Sequence, residues 1–134
     1  MKYLLALFGP ETEGGMEDVS PEEMQAAMEP WNELSRQLNE AGIHLASEGL
    51  QPSSTATTVK IGEDGSRTVV DGPFAETKEQ LGGFFLLDCD SAEQALEWAK
   101  KVPLQPGGSI EVRPVMDYAQ FGYEDPNLAE KASS

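Results

Sequence analysis

The chain is 134 residues long, enough for one hydrophobic core and too short for two. Its 24 acidic and 9 basic side chains leave a formal charge of −15, which repels phosphate backbones and anionic lipid and argues against nucleic-acid and membrane partners. A lone cysteine, Cys89, cannot close an internal disulfide, and no apolar run nears the ~18 residues of a membrane span, so a cytoplasmic location is expected.

Residues 2–8 are apolar on both alternating sets, Tyr3/Leu5/Leu7 and Leu4/Ala6/Phe8, which predicts a strand covered on both faces. The run ends at Gly9-Pro10, too early for a signal-peptide core. An acidic loop over 11–19 follows. Ser20-Pro21-Glu22-Glu23 then reads as a helix start, with Ser20 as cap, Pro21 in the first turn and Glu23 closing a capping box. Met24, Met28, Trp31, Leu34, Leu38 and Ala41 fall on one helical face, and Gly42 is a natural stop. Pro30 lies inside this pattern and predicts a kink near 26–30, or two abutting helices.

Residues 43–50 alternate as a half-buried strand, and 51–54 form a loop. The Thr/Val-rich segments 55–61 and 67–71 flank Gly62-Glu63-Asp64-Gly65, a hairpin signal. Asp71-Gly72-Pro73-Phe74 is a turn, and Pro73 suits a short helical turn through Glu76 to Glu79. Residues 83–88 form a second strand apolar on both faces. Ser91-Ala92-Glu93-Gln94 opens a second helix that turns Ala92, Ala95, Leu96 and Ala99 inward, and Pro103 and Pro106-Gly107-Gly108 end it. Residues 109–115 form the last strand. The tail 117–134 ends polar, but its Tyr118, Phe121 and Tyr123 could pack on a partner.

This order, β-α-β, a hairpin, then β-α-β, is the split βαβ pattern of a ferredoxin-like α+β fold with an antiparallel sheet and a β-hairpin insertion. Its two central strands match the two runs that are apolar on both faces. With helices on one side only, the other face of the sheet needs cover, and a second copy of the chain is the simplest one.

Residues 71–79 read Asp-Gly-Pro-Phe-Ala-Glu-Thr-Lys-Glu. With the opening Met1-Lys2-Tyr3-Leu4-Leu5, Ser20-Pro21-Glu22-Glu23-Met24, Gly49-Leu50-Gln51-Pro52, Gly82-Gly83-Phe84-Phe85 and Glu111-Val112-Arg113-Pro114-Val115, the chain resembles the DGPFAETKE (DGPF domain) branch of the YCII-related family over residues 1–116, with 117–134 as a tail. The resemblance implies a ferredoxin-like fold paired into a dimeric α/β barrel. Some relatives look like lyases or dehydrochlorinases with a helix-borne histidine paired to an aspartate. By register from Gly49 that histidine would fall near Trp31 or Asn32, and neither is histidine, so the dyad does not carry over. Members of this branch are often encoded beside extracytoplasmic-function sigma factors, which implies a regulatory or sensing role.

Period-two geometry puts His44 and Glu48 of one strand, and Glu111 and Arg113 of another, on the face away from the helices, with Ile43 and Leu45 turned inward. In a face-to-face dimer these side chains would line a cleft. Arg113 could grip a carboxylate or phosphate there, or pair with Glu111 or Glu48 as a structural ion pair. His44, the only histidine, is a candidate general base or an interface residue. Asp71 is a candidate acid or base, or a turn residue bonded to its own backbone. Phe74 and Lys78 are candidate ligand contacts, with Glu76, Lys78 and Glu79 forming either a solvated turn or a ligand rim.

Cys89 lies between Asp88 and Asp90, which disfavours a thiolate. Ser53-Ser54-Thr55 has no nearby base, and Gly82-Gly83 lacks the lysine and helix of a phosphate loop. One histidine and one cysteine make a metal site improbable, and no cofactor is expected. Two readings stand: a small anionic ligand in the dimer cleft, bound or processed by proton transfer of the isomerase or lyase kind, and a non-catalytic regulatory protein with a protein partner.

Overall fold

The computed structural model describes residues 1–11 and 18–124. Most of the expected acidic loop, 12–17, and the polar end of the tail, 125–134, lie outside the described residues.

The four expected core strands form one sheet. Strands β1 (Lys2–Gly9), β2 (His44–Gly49), β5 (Gln80–Asp88) and β6 (Ser109–Pro114) lie in the order β2-β5-β1-β6, and every neighbouring pair is antiparallel. The hairpin strands β3 (Thr57–Ile61) and β4 (Arg67–Asp71) form a separate two-stranded sheet. With helices α1 (Pro21–Glu40) and α2 (Ala92–Ala99) the chain is α+β, and its strand order is compatible with a ferredoxin-like fold. Among the described residues no helix is long and apolar enough to cross a membrane.

The helices cover one face. Tyr3, Leu5 and Leu7 of β1 and Phe85 and Leu87 of β5 are buried there with Leu34 and Leu38 of α1 and Ala95 and Ala99 of α2. Leu4, Phe84 and Leu86 of the same central strands project to the opposite face and are half-buried. The second apolar set of these central strands thus lies on the face that carries no helix.

Helix α1 begins as its sequence requires: the Ser20 hydroxyl accepts the Glu23 amide at 3.1 Å, and Pro21 occupies the first turn. It then runs unbroken through Pro30, so it is one helix, not two. Pro30 and Ala26 are both on the exposed side, where water can satisfy the carbonyl that loses its partner. At the far end the Gly42 amide bonds Asn39 O and the Ile43 amide bonds Leu38 O, with Gly42 at φ 73°, a Schellman stop. This motif carries Ile43 into the core beside Leu38.

Helix α2 is narrower in its contact than expected. Ala95 and Ala99, one turn apart, are buried and Trp98 is half-buried, whereas Ala92 and Leu96 are exposed. Two small side chains suffice to seat a two-turn helix close to the sheet. The Ser91 hydroxyl accepts the Gln94 amide at 3.2 Å, while the Gln94 side chain reaches back to Asp90 N.

The short helical turn expected over 73–79 is absent, and the segment is a series of bends. Side chains have taken its carbonyls. Gln80 Nε2 donates to Ala75 O at 3.0 Å and to Thr77 O at 2.9 Å, and Thr77 Oγ1 donates to Glu79 O at 2.6 Å. Such local side-chain bonds compete with helical ones and here win.

Candidate functional site

The sheet ends where β1 stops at Gly9, β2 stops at Gly49 and β5 starts at Gln80. Gly9 pairs with Gln80 and Gly49 with Gly83. A bulge between Leu7 and Phe8 skips Gly82, whose carbonyl is taken by the Leu50 amide at 2.8 Å. The loops after β1, after β2 and before β5 therefore converge at this end.

A cleft of about 550 Å³ opens there, walled by Leu7, Phe8, Trp31, Leu50, Leu81 and Leu104, with Glu11, Gln51 and Gln80 as polar members. A second hollow of about 320 Å³ lies between α1 and the β2/β5 edge, where Trp31, Asn32 and Ser35 face Ser47 and Gly83. Trp31 borders both, and its ring lies parallel to Phe85, centroids 6.4 Å apart and planes 7° apart. An open third hollow, about 650 Å³, carries Pro10, Glu11 and Gln80 on to Ser53, Glu76 and Lys78.

Glu11 ties two of these loops together. Its carboxylate accepts the Ser53 amide at 2.7 Å and also the Ser53 hydroxyl. Those bonds, the hydroxyl's first and the amide's second, hold the Glu11 carboxyl below the ordinary glutamate range. The serine run at 53–55, read from sequence as lacking any base, thus has a carboxylate against it. Nothing local announces this contact, because the partners are 42 residues apart.

Of the residues singled out from sequence, Lys78 reaches this end of the sheet, lining the open hollow and another beside Phe8 and Gly107. Asp71 closes β4 opposite Thr57, exposed, and among the described residues no hydrogen bond to its carboxylate is found. The turn is carried by its neighbours: Gly72 has φ 101°, its amide bonds Ala56 O at 2.8 Å, and Thr58 Oγ1 donates to its carbonyl at 2.7 Å. Phe74 is 85% exposed.

The other four candidates lie along the sheet. Glu111 and Arg113 do face away from the helices, since they pair with Ala6 and Leu4. They form an ion pair with each other, so the guanidinium already has a carboxylate partner. Glu48 shares that face through Phe84, but it and Glu111 sit on opposite edge strands, three strand spacings or roughly 14 Å apart.

His44 is a correction. It was expected beside Glu48 on the open face, but it pairs with Leu87 on the helix side. Leu45 is the extra residue of a β-bulge between His44 and Ala46, and it is 48% exposed instead of inward. The His44 ring packs against Phe85 at 5.9 Å; Nδ1 lies 2.8 Å from Asn39 Oδ1 and Nε2 2.8 Å from Ser47 Oγ. Nδ1 thus ties β2 to the end of α1 and Nε2 is held within β2, so both ring nitrogens have partners.

Cys89 is buried, and burial first, then Asp88, pushes its thiol up, away from thiolate chemistry. Among the described residues no three His, Cys, Asp or Glu side chains gather to hold a metal ion.

Residues 1–119 match the YCII-related domain. The chain is also similar to an uncharacterized protein of Rhizobium meliloti (strain 1021), 42% identical over 101 residues, which span 74% of this chain and 81% of that protein.

Proposed function

The chain belongs to the YCII-related domain family, and from that premise we propose that it works as a homodimer binding a small organic anion at the end of the sheet. The observation that carries this reading is the cleft of about 550 Å³, which falls within the usual size of small-molecule sites and has their make-up, apolar walls with a few polar groups. The ligand's body lies among Phe8, Trp31, Leu50 and Leu81, and its charged head points along Gln80 to Lys78. Lys78 matters because the chain as a whole is strongly acidic; an anion needs a dedicated local cation. Proton-transfer chemistry of the isomerase or lyase kind would fall to Glu11, the carboxylate that lines this end.

The second copy covers the open sheet face, giving a dimeric α/β barrel on a ferredoxin-like subunit. Leu4, Ala6, Phe84 and Leu86 supply an apolar centre, with Glu48, Glu111 and Arg113 at its margins. Arg113 is the competing anion site on that face.

A thermal-shift panel of small organic carboxylates, each beside its neutral amide, tests the reading. The acids are expected to stabilise the protein and the amides to do less. Lys78→Met should remove that difference and Arg113→Lys should preserve it. The reverse pattern moves the anion to the sheet face. If no acid shifts the melt, ligand binding fails, and the charge of −15 then favours the second reading, a regulatory protein that docks on a basic partner.

A further inference from the structure

The two hollows beside Trp31 share a floor. Leu7, Trp31, Gly49 and Gly82 line both. Neither glycine has the positive φ that would oblige a glycine there. A Cβ on Gly49 would meet nothing within 4 Å, and one on Gly82 would sit 3.9 Å from the Leu7 carbonyl oxygen, an ordinary contact. The sheet could carry side chains at both positions. Their absence leaves bare backbone beside the Trp31 indole, whose orientation is set by its parallel packing on Phe85.

We propose that this slot takes a planar aromatic ring, stacked on Trp31 and lying over the Gly49 and Gly82 backbone. The inference rests on the reading of the cleft as a ligand site and adds the class of ligand, an aromatic acid in preference to an aliphatic one. A flat ring can lie between an indole and bare peptide, and it continues the Phe85–Trp31 stack. A saturated ring is thicker and has no π-face to offer. Asn32 and Ser35, on the inner hollow, supply neutral donors for a polar ring substituent.

The chain has two tryptophans, so Trp98→Phe leaves Trp31 as the sole indole and its emission reports on the slot. This protein is titrated with benzoate, 2-naphthoate and cyclohexanecarboxylate, with calorimetry in parallel. The aromatic acids are expected to perturb the emission and to bind roughly two- to tenfold tighter than the saturated acid. Trp31→Leu should abolish that preference, and Gly49→Val, whose Cβ meets no atom within 4 Å, should block all three acids at an unchanged melting temperature. Equal affinity for benzoate and cyclohexanecarboxylate overturns stacking but leaves the cleft a ligand site. Binding that survives Gly49→Val, or no binding of any of the three, overturns the cleft reading and this inference with it.

Discussion

His44 and Leu87 face each other across β2 and β5, on the side of the sheet that carries the helices. Leu87 is fully buried, so the imidazole forms part of the wall of the core, bonded to Asn39 at the end of α1 and to Ser47 on its own strand. His44→Ala should therefore destabilise the fold by about 1–3 kcal/mol in urea melts, because two polar partners lose their bond. Asn39→Ala made on top of it should add little, since the interaction is already gone. Ligand affinity should not change.

Leu86 points to the face without helices, in the row Arg113–Leu4–Leu86–Ala46. Leu86→Glu would put a charge in the centre of the proposed subunit contact. Light scattering is expected to show a dimer for the native chain, burying roughly 2,000 Å² or more, and a folded monomer for Leu86→Glu. A native chain that is already monomeric at micromolar concentration would remove the barrel arrangement.

Gly82 and Gly83 are adjacent and should respond oppositely to a methyl group. At Gly83 a Cβ would come within 2.7 Å of the Glu48 carbonyl oxygen, so edge strand β2 would have to move. Gly83→Ala is expected to cost about 1–3 kcal/mol. Gly82→Ala meets only an ordinary contact and should stay within about 0.5 kcal/mol of the native protein. Thermal melts of the two variants compare them directly.

At the 71–74 turn Gly72 carries the strained backbone and Asp71 does not. Gly72→Ala should cost about 1–2 kcal/mol, since an alanine there must hold a left-handed φ. Asp71→Asn should stay within about 0.5 kcal/mol. A large loss with Asp71→Asn would restore Asp71 as a turn residue. Unchanged stability with a loss of ligand affinity would make it functional.

The Glu11 carboxyl is held low by Ser53, from an ordinary value of 4.5. Its folded value lies below its unfolded one, so the contact adds its stability above about pH 4.5 and loses it as the pH falls through the lower folded value. In a carboxyl NMR titration Glu11 should titrate below the other exposed glutamates lacking such donors, and Ser53→Ala should bring its midpoint back up.

The α+β class, the central strands, both helix starts, the Gly42 stop and the hairpin were legible in the sequence, because each rests on neighbours a few residues apart. Ser20 and Ser91 cap where they stand, and the two runs apolar on both alternating sets are the two central strands of the sheet. The alternation on β6 held as well, since its pairing with β1 is unbroken from Tyr3 to Phe8 and so aims Glu111 and Arg113 together. On β2 the same reasoning misplaced His44, because period two assumes an unbroken register and one extra residue, Leu45, reverses every side chain before it. The site was the least legible part. Glu11 meets Ser53, and Trp31, Gly49 and Gly82 come to line one cleft, only after the ends of three strands are drawn together. Contacts between segments distant in the chain leave no local pattern, and only the tertiary structure decides them.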